Sequence, residues 1–308
     1  MSPVRRASSS IVMPTFARFT VTSYRATMAF SGTLSDARVS EVSRRLRSRC
    51  DAILGAVWFM PEAARGFPSL AGRVACLGRV RGEVAAALLA PLHPSSTIRA
   101  IDEAWRVHDP EALLAERLGA ATRYLAAVIG EHPDGIERAV SVLKPAVEAG
   151  PVEGHPLFAG LRTLAWPCTP LGDLWRAADM VRERRGDSHR NAWVAAGLSA
   201  LEIQVLTERW RTRTNPGSTT AERMGWTGDD IASALDDLRG QGWIDAAGAL
   251  TAAGRAFRDE IELATDRQER PLVEALGDDV DELFDLLAPW ARAVVSGAQL
   301  PAPDGRGA

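Results

Sequence analysis

Apolar residues recur at helical spacing along almost every long segment of the chain. In the clearest case, Asp109-Pro110 supplies an N-cap and a proline at the first helical position, which predicts a helix start. The stripe that follows ends at Gly130 and consists of Leu114, Leu118, Ala121, Leu125 and Val128. Comparable stripes predict helices over 136–142, 171–181, 194–205, 252–269 and 280–294, with an interruption at Gly186 after the second of these.

The segment from Thr219 to Gly254 has the order of a winged helix-turn-helix. Residues 221–226 predict a short helix, 227–229 predict a turn and cap, and 230–240 predict a second helix. Residues 242–251 then alternate around Ala247-Gly248 and predict a two-stranded wing. We therefore expect a mainly α fold with a helical N-terminal domain and a C-terminal winged helix-turn-helix that carries a small β-hairpin.

Four regions are expected along the chain. Residues 1–35 are rich in Ser and Arg and have no acid before Asp36, which predicts a disordered extension. Its composition also resembles a transit peptide, and Met28 offers an alternative start. The remaining regions are a helical ligand-pocket domain at 36–185, a winged helix-turn-helix domain at 187–298 and a disordered tail at 299–308.

Composition excludes several classes of site and of partner. The net charge of the 308-residue chain is −3, so no general positive field attracts nucleic acid or an anionic membrane. Cys50, Cys76 and Cys168 are far apart and show no Cys-x-x-Cys spacing, so neither a zinc site nor a disulfide framework is predicted. No apolar run approaches the roughly 20 residues of a membrane helix. We expect a cytoplasmic protein with no metal, no cofactor and no membrane partner.

Short motifs that occur in a fixed order carry a family resemblance. They are 58–63, Ala165-Trp166-Pro167, 174–177, 182–189, 195–198, 224–227 and 240–245. Over most of positions 45–300 the chain resembles the SalK-like helix-turn-helix proteins of actinobacteria. The resemblance implies winged-helix proteins that are often described as regulators similar to the MarR group. Gly55, Arg176 and the segment 89–94 depart from the family pattern, and the first two stand where histidines are expected.

The densest polar cluster of the sequence is Arg184 to Arg190. On a functional interpretation, His189 acts as an acid, a base or a ligand contact, Asp187 orients it, and Arg185 binds a carboxylate or phosphate. On a structural interpretation, Gly186 ends one helix and Asp187 caps the next. Both interpretations remain open at this point.

The tryptophans suggest an apolar pocket in the helical domain. The candidate ligand-binding residues are Trp58, Glu62, Trp166, Trp175, Arg185 and Trp193. The alternative is that the tryptophans belong to the core and that Glu62 begins a helix after Pro61.

The evidence for DNA contact is divided. Arg223, Arg239 and Arg255 are candidates for phosphate contacts, and Ser233 is a candidate for a base contact. Between residues 220 and 245, however, there are six acidic residues and only two arginines, and this negative charge opposes the approach of phosphates.

Two functions are therefore compatible with the sequence. The first is a homodimeric winged-helix transcriptional regulator that binds DNA and senses an apolar small molecule. The alternative is an enzyme or ligand-binding protein of specialised metabolism whose winged-helix scaffold does not bind DNA, with Asp187 and His189 as catalytic residues.

Overall fold

The structure, a computed structural model, describes residues 34–58, 67–211 and 219–297. Its α-helices are α1 (Asp36–Trp58), α2 (Ser69–Val74), α3 (Gly82–Leu89), α4 (Pro94–Val107), α5 (Pro110–Ile129), α6 (Ile136–Ala149), α7 (Pro156–Arg162), α8 (Pro170–Ala195), α9 (Ala200–Trp210), α10 (Thr220–Arg223), α11 (Gly228–Gly240), α12 (Ala252–Gln268), α13 (Arg270–Leu276) and α14 (Val280–Gly297). Short 3-10 turns follow α2 and α13. Residues 1–33 of the expected extension 1–35, the expected tail 299–308 and Glu62 lie outside the described residues.

The longest helix, α8, lies at the centre of the fold. It has 26 residues and packs against α1, α5, α6, α7 and α12. The predicted interruption at Gly186 is wrong, because the helix runs through this residue to Ala195. A glycine costs a helix about 1 kcal/mol relative to alanine, and the packing of α8 on five neighbours outweighs that cost. The predicted domain boundary next to residue 186 falls inside α8, and the division into two domains stays a prediction.

The buried apolar side chains form two clusters. The larger one contains residues from α1, α5, α6, α8, α13 and α14. The smaller one joins the end of α8 to α9, α11 and α12, with Trp193, Leu206, Leu238 and Ile261 among its members. The helix-turn-helix is therefore packed through its own cluster onto the last turns of α8.

Two capping boxes define the helix-turn-helix. The Thr219 side chain accepts a hydrogen bond from the Glu222 backbone, and Thr227 does the same for Asp230. The carboxylates of Glu222 and Asp230 accept in return from the backbone N–H groups of the two threonines. Gly225, with φ +94°, makes the turn between α10 and α11. The predicted pair of helices is thus present, and the capping bonds that begin each helix join residues only three positions apart.

The predicted β-hairpin wing is wrong. Among the described residues there is no β-strand, and segment 242–251 holds only an isolated antiparallel bridge between Ile244 and Leu250. The flanking hydrogen bonds, Asp245 N to Ala249 O at 2.9 Å and Thr251 N to Trp243 O at 3.0 Å, close a tight turn. The turn has no third strand to pair with, and Thr251 already caps α12. The mainly α part of the prediction fits; the winged fold class does not.

The start of α12 makes an unusually close approach to this turn. A Cβ atom added at Gly254 would lie 2.1 Å from the Trp243 carbonyl oxygen, which is a backbone atom. The Trp243 ring stacks on Phe257 one turn further along α12, with ring centroids 3.8 Å apart. Only glycine at position 254 allows this packing.

We predict that Gly254→Ala lowers the free energy of unfolding by about 2 kcal/mol or more, since an overpacked backbone contact must be relieved. Gly240→Ala is the matched control, because no atom lies within 4 Å of a Cβ added there. Its stability should stay within roughly 0.5 kcal/mol of the wild type or rise. Urea unfolding monitored by tryptophan fluorescence measures both variants, and equal midpoints would contradict the packing argument.

Candidate functional site

An arginine-lined cavity of about 740 Å³ is the candidate functional site. It lies between α1, α8, α9, α12 and the residues 89–92 that end α3 and begin the following loop. Its apolar walls come from this loop, from Trp193 and Trp210, and from Met224. Among the residues that the structure describes, eight arginines also line it: Arg44, Arg47, Arg73, Arg182, Arg185, Arg190, Arg211 and Arg258. Such a concentration of guanidinium groups favours an anionic occupant.

On one side of the cavity, the arginines are paired with acids of α1 and α8. Glu183 is bound bidentately by Arg73 at 2.7 and 2.8 Å and also by Arg182 at 2.8 Å. Burial alone would raise the pKa of Glu183, but these two arginines hold it well below its usual range. Asp51 pairs with Arg47 at 2.6 Å. The Arg73–Glu183 pair joins α2 to α8 at this wall, and the other two pairs lie within α1 and α8.

On the opposite side, α12 supplies the acids. Glu262 binds Arg185 at 2.9 Å and Arg258 at 2.7 Å, one oxygen for each guanidinium. Burial opposes the ionisation of Glu262, but Arg258 and Arg185 lower its pKa to about 2. Asp266 binds Arg44 at 2.7 Å and Arg185 at 2.9 Å. Glu262 and Asp266 thus bind α12 to Arg185 of α8 beside the cavity.

The predicted trio of Arg185, Asp187 and His189 comes together only in part. Arg185 and His189 line the cavity, whereas Asp187 does not. The Asp187 carboxylate accepts from the Phe158 backbone N–H at 3.1 Å, in the first turn of α7, and pairs with Arg190. Its burial raises its pKa to about 6, although Arg190 and Phe158 oppose this. Asp187 therefore caps α7 rather than α8, and it does not orient His189.

His189 is held by Thr265 instead. Its Nδ1 lies 3.2 Å from the Thr265 hydroxyl and 3.9 Å from Glu262. Burial lowers the pKa of His189 to about 3; Glu262 opposes this shift, while Arg258, Arg185 and Arg47 reinforce it. The imidazole is therefore uncharged at neutral pH and can offer the cavity one donor or one acceptor.

The predicted tryptophan pocket is only partly present at this cavity. Trp193 lines it. Trp175 is buried in the core beneath the Arg117 guanidinium, at 4.6 Å. Trp166 donates to Glu148 at 2.8 Å and lies below Lys144 at 4.4 Å. Neither Trp175 nor Trp166 reaches the cavity, and the Trp58 side chain, like Glu62, is outside what the structure describes.

Sequence reasoning missed the contribution of α12. Arg258, Glu262 and Asp266 recur every four residues and are all buried or nearly so. The pattern was visible as a charged stripe on a predicted helix. A charged stripe normally faces solvent, and only the tertiary structure shows that this one faces the arginines of α8.

The predicted DNA contacts lie elsewhere, on the surface. Arg223, Ser233 and Arg255 are exposed, and Arg239 is half-buried and bonded to Asp236 at 2.6 Å. The exposed positions of α11 include three aspartates: Asp229, Asp236 and Asp237. The outer surface of the second helix is thus acidic.

Neither a metal site nor a membrane helix is found in the described ranges. No group of three His, Cys, Asp or Glu side chains there is arranged to hold a metal ion. None of the helices in those ranges combines the length and the apolar character needed to span a bilayer.

We predict that His189→Gln reduces the acid sensitivity of the fold. The unfolded chain protonates its histidines below about pH 6.5, but the folded chain keeps His189 neutral down to much lower pH. A folded pKa below the unfolded value means that stability is lost as the pH falls from about 6.5 toward 3. Replacing His189 should recover up to about 2 kcal/mol of that loss at pH 5.

Urea unfolding at pH 7 and pH 5 measures this difference. The exposed His132 supplies a matched variant, His132→Gln, which should follow the wild type at both pH values. If His189→Gln loses as much stability on acidification as the wild type, His189 does not stay neutral in the folded chain.

Comparison with known proteins gives one match. Residues 43–301 match a family model described as a helix-turn-helix family. No curated protein and no solved structure matches the chain. The matched region contains α10, α11 and every residue that lines the cavity. The chain therefore belongs to this helix-turn-helix family.

Proposed function

We propose that the protein is a ligand-responsive DNA-binding regulator whose sensory site is the arginine-lined cavity. Family membership favours a regulator-like protein that binds DNA. The observation that supports the sensory role is the position of Met224, which is the C-cap of α10 and also lines the cavity. An occupant of the cavity would therefore touch the turn of the helix-turn-helix directly.

The loop after α3 holds this turn from the same side. The His93 backbone N–H donates to the Met224 carbonyl at 2.9 Å, and the Trp226 indole donates to the Pro91 carbonyl at 2.9 Å. The His93 ring meets the Trp226 ring edge to face, with centroids 4.7 Å apart. Because Pro91 lines the cavity as well, this loop joins the ligand site to the turn.

A second connection runs through α9. Four of its residues line the cavity, and α9 also packs against α10 and α11. A ligand that binds one arrangement of these helices better than another would shift the population toward that arrangement. The ligand would have a charged part and an apolar part, rather than the wholly apolar character expected from the tryptophans.

The finer features of the proposal rest on the sequence. The resemblance to SalK-like proteins and to the MarR group supports a cytoplasmic regulator. A homodimer is the form in which helix-turn-helix proteins read two half-sites one helical turn apart on DNA. We include both features in the proposal.

A second function is supported by the acidity of α11. The exposed Asp229, Asp236 and Asp237 oppose phosphates where a recognition helix would lie. On this alternative, the protein binds or converts a small molecule in the cavity and does not contact DNA, with Arg185 and His189 as the groups that face the ligand.

An electrophoretic shift assay on genomic fragments at several salt concentrations separates the two functions. A regulator should retard a subset of fragments, with an affinity that falls steeply as salt rises. Arg239→Ala and Arg255→Ala should weaken binding and each reduce the salt slope by about 1, since each would remove one phosphate contact. Arg123→Ala, an exposed arginine on α5, is the matched control and should bind like the wild type.

Absence of any retarded fragment at low salt would end the regulator proposal in favour of the alternative. If all three arginine variants bind DNA as tightly as the wild type, DNA is held by a surface other than the helix-turn-helix.

A further inference from the structure

We infer that Arg185 and Arg258 bind the phosphate group of a small organic phosphate ester in the cavity. The inference rests on the proposed function in one respect, namely that this cavity is the ligand site. It names the chemical class of the ligand and the two groups that recognise it. It does not depend on whether the protein binds DNA.

Arg258 is a buried cation with an unused donor. Its side chain is 1 % exposed, and it lines the cavity. Its Nε donates to Thr207 at 3.1 Å and its Nη2 to Glu262 at 2.7 Å, while the Trp210 ring lies 4.8 Å from the guanidinium carbon. Its Nη1 has no hydrogen-bond acceptor among the described residues.

Arg185 repeats this arrangement from the opposite helix. Its side chain is 8 % exposed and also lines the cavity. Its Nη2 lies 2.9 Å from both Glu262 and Asp266, whereas its Nη1 finds no acceptor in the described part of the chain. Because Arg185 and Arg258 bind opposite oxygens of Glu262, their guanidinium groups are held close together.

The two Nη1 donors belong to side chains that line one cavity, and an anion that enters between α8 and α12 would give both of them an acceptor. A buried donor without a partner is costly, more so when it carries charge, and native structures rarely tolerate it. Within the described residues, the eight arginines of the lining outnumber the five carboxylates that pair with them, which are Asp51, Glu183, Asp187, Glu262 and Asp266. A doubly charged tetrahedral oxyanion fits both the surplus charge and two donors that come from different helices.

The size of the cavity points to an ester rather than to free phosphate. About 740 Å³ is within the range of sites that hold whole organic ligands. Trp193 and residues 89–92 give it an apolar wall next to the arginines. The organic part of the ligand would lie against this wall, and the phosphate would lie between α8 and α12.

Isothermal titration calorimetry on the full chain tests the inference with phenyl phosphate as the probe and phenol as the uncharged control. The wild type should bind phenyl phosphate and not phenol. Arg185→Met and Arg258→Met should each weaken binding at least about tenfold, the size expected for hydrogen bonds to a charged group. Arg255→Met is the matched control: it lies on the same helix as Arg258 but is exposed, and it should bind like the wild type.

Glu262→Gln is a variant in which tighter binding is expected, so it separates an effect on the phosphate contacts from a loss of the fold. The substitution removes the negative charge that competes for both arginines, so phenyl phosphate should bind several-fold more tightly. A damaged fold cannot produce that gain. The inference is overturned if the wild type does not bind phenyl phosphate, if it binds phenol equally well, if the two methionine variants bind like the wild type, or if a Glu262→Gln variant with the circular dichroism spectrum of the wild type does not bind more tightly.

The outcome is separable from that of the proposed function. A chain that binds phenyl phosphate but retards no DNA supports this inference and ends the regulator proposal. A chain that retards DNA but does not bind phenyl phosphate supports the regulator proposal and overturns this inference.

Discussion

The structure depends on pairing the charges that α8 buries. An unpaired ion in a protein interior costs several kcal/mol, so each buried charge of α8 requires a partner, and several of these partners come from other helices. Arg117 on α5 meets Asp179, Arg73 on α2 meets Glu183, and Glu262 on α12 meets Arg185. Each pair fixes the spacing of two helices. Arg73, Arg185 and Glu262, from the last two of these pairs, line the cavity.

This pairing also explains how a chain with a net charge of −3 can attract an anion. Positive charge is concentrated inside, where eight arginines line one cavity, and negative charge is displaced to surfaces such as the exposed side of α11. The net charge of the whole chain describes neither the cavity nor the exposed side of α11. The local fields have opposite signs, and they favour a small anion in the cavity while opposing a duplex at α11.

Local signals in the sequence were sufficient for the helices and insufficient for the site. Asp109-Pro110 starts α5, and Thr227 with Asp230 starts α11, because caps act within four residues. The predicted break at Gly186 and the predicted wing were wrong because packing on neighbouring helices decided both segments. The partners of Arg185 are 77 and 81 positions away, so no local pattern could place them beside it.

The same geometry limits how a ligand could act on the helix-turn-helix. Arg258 on α12 donates from Nε to Thr207 on α9 and from Nη2 to Glu262 on its own helix. An oxyanion that binds its Nη1 therefore need not displace either bond. Such a ligand would stiffen the contact between α9 and α12 instead of breaking it. The turn at Met224 also lines the cavity, and its carbonyl accepts a hydrogen bond from His93 in the loop after α3. On the proposed function, a ligand whose apolar part reaches that turn would affect DNA binding, whereas free phosphate, confined to the arginines, would bind without doing so.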